Sequence, residues 1–386
     1  MENKKIRLAV LGNGPRWHSL EEVYLQHPQV EVVALCDWAQ GLAEASAKRL
    51  HDFCGATPEI YTSYEEMIKS AKYDAIFIAS DPDAQVDYAV NEMNRGIHVM
   101  TEVPAAYTIK QCYDLVNAVR KNGVKYQLAE QTRYWNFIKI WREMAAQNQF
   151  GKIYYAEGEY LHYEPKWDYF KHKKTGHHLW TNDPEIHNNP DYEPTWRYKT
   201  FGDPIFYLPH TLSPLLSVTG GRIDSVSCLG SIKGESFTKG FDVRDLECAL
   251  MHNTNGAIFS VRTGYNAPYG LKRETGAHWY QIKGTNRTVE WARSIDDMPK
   301  EYTLENGWVE HPEWGCVDPN ASEEFTKTLH GGADYYPMYH FMDAILNDKT
   351  PLMDVYLAVE TAAPAIAAAE SANKGGIQIE IPDFRV

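Results

Sequence analysis

The sequence contains no CxxC pair; its six cysteines, at positions 36, 54, 112, 228, 248 and 316, are scattered singly through 386 residues. That spacing offers neither a disulfide framework nor a zinc knuckle, and the thiols read as reduced core residues. The histidine spacings match no zinc template either, so no metal is expected. No run of about 18 apolar residues occurs, which excludes a membrane-spanning helix of ordinary length. Met1-Glu2-Asn3-Lys4-Lys5 runs directly into an apolar strand with no signal-like region, and the expected compartment is the cytoplasm. Positive charge is also too scarce for nucleic acid or an anionic membrane: 38 basic side chains face 52 acidic ones, a formal charge of −14. What is left is ordinary globular composition, 44% hydrophobic and 23% charged, in a chain long enough for two domains.

The first domain, residues 1–128, alternates strands with helices. Ile6–Leu11 is a mostly apolar run of the kind buried on both faces of a parallel sheet. It ends in Gly12-Asn13-Gly14-Pro15-Arg16, where two glycines let the chain turn tightly and approach a pyrophosphate, with the next helix offering its N–H groups. Trp17 occupies the place of a third fingerprint glycine, so the turn alone also fits a plain strand-to-helix connection. A second strand, 30–35, leads into Cys36-Asp37-Trp38 and puts a carboxylate where the adenosine ribose hydroxyls need an acceptor, which favours NAD over NADP. Further strands are expected at 73–79, 96–100 and 125–128, with helices over 85–95 and 109–122; Ser80-Asp81-Pro82 follows the first of these strands. The alternation specifies an α/β domain, a Rossmann doubly wound parallel sheet with right-handed crossovers.

At this point the chain resembles the Gfo/Idh/MocA family of NAD(P)-dependent sugar oxidoreductases. The features that carry the resemblance are Gly12-Asn13-Gly14, Cys36-Asp37, Asp81-Pro82, and Glu102-Val103-Pro104 followed later by Ala129-Glu130-Gln131. It implies that Glu102, Val103, Pro104 and Glu130 join the glycine turn around the cofactor. Most members carry Glu-Lys-Pro after this strand, and the lysine handles the proton of the hydroxyl being oxidised. Val103 stands there instead, and a valine can neither give nor take a proton. Either another residue does that work or the reaction differs.

The second domain, 129–386, reads as α+β around an open, mostly antiparallel sheet, with a C-terminal segment free to pack back on the first domain. A helix over 130–148 leads into it. Strands are expected at 153–160, 223–231, 246–252, 257–265, 278–284 and 288–291, with turns at Asn255-Gly256 and Gly284-Thr285-Asn286. An insertion at 162–200 carries Tyr163, Trp167, Trp180, Trp196 and Arg197 among lysines and histidines. Aromatics with polar neighbours suit sugar rings, and the basic residues suit an anionic substituent. A solvated loop or an oligomer contact fits the same composition. Tyr207 and His210 stand three apart at the start of a helix and can share one face. An imidazole and a phenol form a workable acid–base pair, although a core histidine with a packing tyrosine is the plainer reading. Arg133, Tyr265 and Tyr269 are further candidate sugar contacts.

Four segments narrow the resemblance to glycoside hydrolase family 109, the NAD-dependent glycosidase branch: Glu102-Val103-Pro104-Ala105-Ala106, Tyr207-x-x-His210, His330-Gly331-Gly332-x-Asp334, and Met353-Asp354-Val355-Tyr356 with Ile381-Pro382-Asp383-Phe384. That resemblance implies transient oxidation at sugar C3, with His210 assisting loss of the hydroxyl proton. Tyr207 is the first candidate to remove the C2 proton; the aglycone then leaves, water adds and the hydride returns. It also implies a small-molecule glycoside as partner and a homo-oligomer. Two other readings stay open: an NAD-dependent sugar or inositol dehydrogenase in which His210 replaces the lysine, and a non-catalytic sugar or NAD sensor.

Overall fold

The computed structural model describes residues 5–25, 27–162, 168–181, 183–199, 202–234, 241–265 and 271–386. Two compact units divide the chain: Met1–Ala129 with Lys166–Thr200 and Asp334–Ala358, and Glu130–Pro165 with Phe201–Ala333 and Val359–Val386. A single cut after residue 128 would leave 166–200 and 334–358 with the second unit.

In the first unit, β1 (Ile6–Leu11), β2 (Val30–Cys36), β3 (Glu59–Tyr61), β4 (Ala75–Ile78), β5 (His98–Thr101) and β6 (Tyr126–Leu128) form one sheet in the order β3-β2-β1-β4-β5-β6. Every pairing is parallel. Leu8, Ala9, Val10, Ile76 and Phe77 have no exposed surface, which is why these strands read as unbroken apolar runs rather than alternating ones. The order reverses between β1 and β4, and open α/β sheets hold ligands beyond the carboxyl ends of the strands at such a switch point. The helix Ile109–Asn122 shows how local chemistry sets its ends. Thr108 Oγ1 accepts from Gln111 N, Gln111 Oε1 accepts from Thr108 N, and Gly123 closes the helix at φ +64°.

After β7 (Ile153–Leu161), which belongs to the second unit, the described part of the insertion carries regular structure. It forms β8 (Asp168–His172), β9 (His178–Thr181) and β10 (Tyr192–Pro194), an antiparallel sheet in the order β10-β8-β9 within the first unit.

The second unit is built on a nine-stranded sheet. To β7 it adds β11 (Ile223–Gly230), β12 (Leu246–Asn253), β13 (Ile258–Gly264), β14 (His278–Gly284), β15 (Thr288–Glu290), β16 (Lys300–Thr303), β17 (Gly307–Glu310) and β18 (Ile379–Glu380). The order is β17-β16-β15-β14-β7-β13-β12-β11-β18, and β7–β13 is the one parallel pair in it. The helix Pro209–Thr219 lies on this sheet because Gly158 of β7 lets it: a Cβ there would come within 2.3 Å of Thr211 Cγ2. The helix expected over 130–148 is broken. A 3₁₀ turn, Thr132–Tyr134, precedes an extended Trp135 (ψ 139°), and the α-helix runs only from Asn136 to Ala146. Glu130 accepts from Thr132 N at 2.8 Å, which withdraws an early backbone donor into a side-chain contact. Trp135 is buried, and its indole N–H donates to the His330 carbonyl at 2.8 Å.

Candidate active site

Two groups of side chains are candidates for the chemistry, one in each unit. In the first unit, β1 ends at Gly12, whose φ of +91° and close approach require glycine; a Cβ would land 2.3 Å from the Ala79 carbonyl oxygen. Asn13 N then donates to Asp37 Oδ2 at 2.7 Å, and Asp37 Oδ1 accepts from Ala39 N at 2.9 Å. Asp37 thus ties the glycine turn of β1 to the helix after β2, while each oxygen keeps a second lone pair for a ribose hydroxyl. Burial pushes its carboxyl up, against the pull of those two N–H groups and of the Lys171 charge. Beside it, Trp38 is 53% exposed. A Cβ on Gly14 would meet open space, and Pro15 opens the short helix Pro15–His18. Arg16 donates to Glu102 Oε1 at 2.7 Å and to Asp334 Oδ1 at 3.0 Å. Gln85 donates to the carbonyls of Glu102 (2.8 Å) and Pro104 (3.0 Å), fixing the segment that carries Val103. Asp81 and Pro82 begin the helix after β4.

The Asn13 amide is buried with neither polar atom partnered, and the buried Ser80 hydroxyl is also unpartnered. Buried polar atoms without partners cost free energy, and here they stand at the switch-point ends of β1 and β4. These residues fit a dinucleotide: Asn13 and Ser80 have donors and acceptors to offer, and Gly12 to Gly14 leave room for a diphosphate against the backbone.

In the second unit, His210 is the second residue of the helix Pro209–Thr219, and Tyr207 closes the preceding 3₁₀ turn Pro204–Tyr207. Their rings are 6.2 Å apart and 27° from parallel. His210 Nδ1 lies 2.7 Å from Glu130 Oε2, and Glu130 is fully buried. The other carboxylate oxygen accepts from Thr132 N (2.8 Å) and Thr132 Oγ1 (2.6 Å). Burial alone would raise the Glu130 carboxyl, but the His210 charge and these hydrogen bonds outweigh it and hold it below its ordinary value. The Tyr280 hydroxyl donates to the His210 carbonyl at 2.8 Å, fixing the backbone as well. Glu130 thus engages Nδ1, and Nε2 is the ring nitrogen turned away from that carboxylate.

Around His210 stand Tyr160 (centroids 5.4 Å) and His278 (6.1 Å), with Tyr265 5.0 Å from Tyr207 and 5.3 Å from His162. Tyr160 and His278 are cross-strand neighbours on β7 and β14, with rings 4.4 Å apart. Burial, then the nearby His210, His162 and His330, push His278 well below its ordinary value, so it stays neutral. Tyr207 is seated by a buried polar cluster: Glu247 Oε2 accepts from Ile205 N at 2.9 Å, and Asp203, which precedes the 3₁₀ turn, accepts from Arg244 (3.0 Å) and Asn373 (3.0 Å).

Residues 6–130 match the NAD-binding Rossmann domain of the Gfo/Idh/MocA oxidoreductases, and residues 142–381 match their C-terminal α/β domain. The chain belongs to the Gfo/Idh/MocA oxidoreductase family. NAD is therefore its cofactor. Among its relatives, a glycosyl hydrolase family 109 protein of Parabacteroides distasonis is 25% identical over 99% of this chain and 87% of its own length. An α-N-acetylgalactosaminidase of Tannerella forsythia is 26% identical over 98% of this chain and 86% of its own. In fold, the chain is similar to a levoglucosan dehydrogenase in complex with NADH (TM-score 0.76, 17% identity, 98% and 100% of the two chains). It is likewise similar to scyllo-inositol dehydrogenase of Lactobacillus casei with NAD(H) and scyllo-inositol (TM-score 0.71, 16% identity, 98% and 99%).

The remaining expected site residues of this Gfo/Idh/MocA member fall in both units. Arg133 sits on the 3₁₀ turn Thr132–Tyr134. Trp180 lies on β9, while Trp196 and Arg197 begin the helix Trp196–Lys199; all three are in the first unit, where the Arg197 guanidinium covers the Tyr169 ring at 4.0 Å. Tyr163, Trp167 and Tyr269 lie outside the described residues. Glu130, expected beside the cofactor, has both oxygens turned onto His210 and Thr132. Tyr160, His162 and His278 were not singled out from sequence. Phasing β7 from its small inward residues Ala156 and Gly158 would have placed Tyr160 and His162 on the same side. Among the described residues, no group of three or more His, Cys, Asp or Glu could hold a metal ion, and no helix is long and apolar enough to cross a membrane.

Proposed function

We propose that this protein is an NAD-dependent glycoside hydrolase that breaks the glycosidic bond by transient oxidation of the sugar at C3. The observation that carries the reading is the Glu130–His210 pair with Tyr207 beside it, in a chain whose usual proton-handling lysine is Val103. The names of the relatives favour cleavage over net oxidation. Bound NAD would supply a hydride acceptor for C3 and, once reduced, a hydride donor. His210 Nε2 takes the C3 hydroxyl proton, and Glu130 stabilises the imidazolium that results. A ketone at C3 acidifies the C2 hydrogen, which Tyr207 removes; the aglycone leaves C1 and takes a proton from water, the hydroxide so formed adds at C1 while Tyr207 returns a proton to C2, and His210 returns its proton to the C3 oxygen. Direct hydrolysis would instead need two carboxylates flanking the bond, whereas Glu130 is buried behind His210.

The substrate is a small glycoside, and an N-acetylhexosaminide agrees with the name of the T. forsythia relative. Assembly of copies into a homo-oligomer through the outer face of the nine-stranded sheet belongs to the same proposal, supported by Leu229, Leu250 and Ile258, which are exposed on that face. The test is turnover of a panel of nitrophenyl glycosides in deuterated water. The expected result is deuterium at C2 of the released sugar without net NADH. Release without C2 deuterium overturns the mechanism, and steady NADH accumulation without cleavage assigns the protein to the dehydrogenases.

A further inference from the structure

The insertion was expected to serve the sugar, yet its described part packs on the nucleotide end of the first unit. Gly176, at the turn between β8 and β9, sits on the start of the helix Gln40–Cys54: a Cβ there would come 2.8 Å from Ala39 Cβ, 2.9 Å from Leu42 Cδ1 and 3.4 Å from Trp38 Cζ2. From β8, Lys171 reaches inward and is only 14% exposed. Its ammonium is 5.9 Å from the Trp38 ring centroid, 3.4 Å from Asp81 Oδ2 and 3.6 Å from Glu193 Oε1. Asp37 and Trp38 follow β2 and Asp81 follows β4, the two strands that flank β1. The Lys171 charge also acts on Asp37, whose carboxylate accepts from Asn13 N in the Gly12-Asn13-Gly14 turn.

We propose that Lys171 is a cofactor-binding residue, supplied by the insertion, that neutralises the diphosphate of NAD. Asp37 and Asp81 would otherwise set two carboxylates against a dianionic group in a crevice where charge is poorly screened. The unpartnered Asn13 amide and Ser80 hydroxyl mark the same place as one built for a polar ligand. A lysine suits this task as a point charge on a flexible stem that can turn from Asp81 to a phosphate oxygen. Because this concerns the cofactor alone, it holds whether the sugar is cleaved or merely oxidised.

The test is binding of NAD, ADP-ribose and adenosine to nucleotide-free full-length protein by titration calorimetry, comparing wild type, Lys171→Met and Lys171→Arg. Loss of a charge-assisted contact predicts at least a tenfold rise in Kd for NAD and for ADP-ribose in Lys171→Met, with a shallower salt dependence. Adenosine binding should not change, and Lys171→Arg should restore most of the affinity. Unchanged ADP-ribose affinity overturns the proposal, as does an equal loss for adenosine, which would make the hairpin a structural support only. Lys171→Gln replaces the methionine variant if that one fails to fold.

Discussion

Replacing Glu130 by glutamine isolates the pair on which the proposed chemistry depends. The glutamine carbonyl can keep the hydrogen bonds from Thr132 N and Oγ1, at 2.8 and 2.6 Å, so the turn has no reason to move. The amide nitrogen then replaces the oxygen 2.7 Å from His210 Nδ1 and donates to it. That donation forces the proton onto Nε2, the wrong tautomer for a base, and removes the charge that stabilises an imidazolium. General acid–base catalysis is worth about 10²–10⁴-fold, and that is the expected loss in kcat on nitrophenyl glycosides. NAD affinity should be unaffected, because both Glu130 oxygens are engaged within the second unit, by His210 and Thr132. Stability gives a second readout. The Glu130 carboxyl is held below its ordinary value in the folded protein, so the pair stabilises fully above about pH 4.5 and the benefit is lost as pH falls through the folded value. The melting temperature of the wild type should therefore drop more steeply in acid than that of Glu130→Gln. A variant within threefold of wild-type kcat, with a parallel acid profile, would refute the assignment.

Two further outcomes follow from single sites. Gly12→Ala strains a position at φ +91° and drives a Cβ onto the Ala79 carbonyl, so it should cost about 1–3 kcal/mol and abolish NADH fluorescence enhancement; normal NADH binding would count against the proposed cradle. Burial, reinforced by Asp203, pushes the Glu247 carboxyl up to about 8 from an ordinary 4.5. The folded state then holds a proton that the unfolded chain releases, and stability falls as pH rises between those values, by at most about 5 kcal/mol. Glu247→Gln should flatten that fall in urea midpoints taken at pH 5.5 and 8.5, and parallel curves for the two proteins would show that Glu247 does not titrate in this range.

What could be read from the residues follows the range of the interactions involved. The parallel sheet was legible because each of its central strands is buried on both faces and written as an apolar run. Trp17 looked like a defect in the glycine fingerprint. In the structure it is fully buried, donates to Ser46 Oγ at 2.8 Å and packs on Phe77 with centroids 5.9 Å apart, so a large core residue takes the place of the third glycine. Tyr207 and His210 could be paired because three residues of helix spacing connect them. Glu130 and His210 could not, since they stand eighty positions apart and only the packing of the 3₁₀ turn Thr132–Tyr134 against the helix Pro209–Thr219 joins them. Tyr160 and His278 depend on the register of β7 with β14, which no single strand encodes. The insertion's strands could not be read for a related reason: tryptophans, lysines and histidines suit a sugar platform and a short antiparallel sheet equally well, and what Gly176 and Lys171 pack against is not written in the insertion itself. The absent lysine at 103 is the informative case, since a missing group says only that proton transfer is not done there. That the same chain holds a buried carboxylate against an imidazole in its other unit is what gives the absence a chemical meaning.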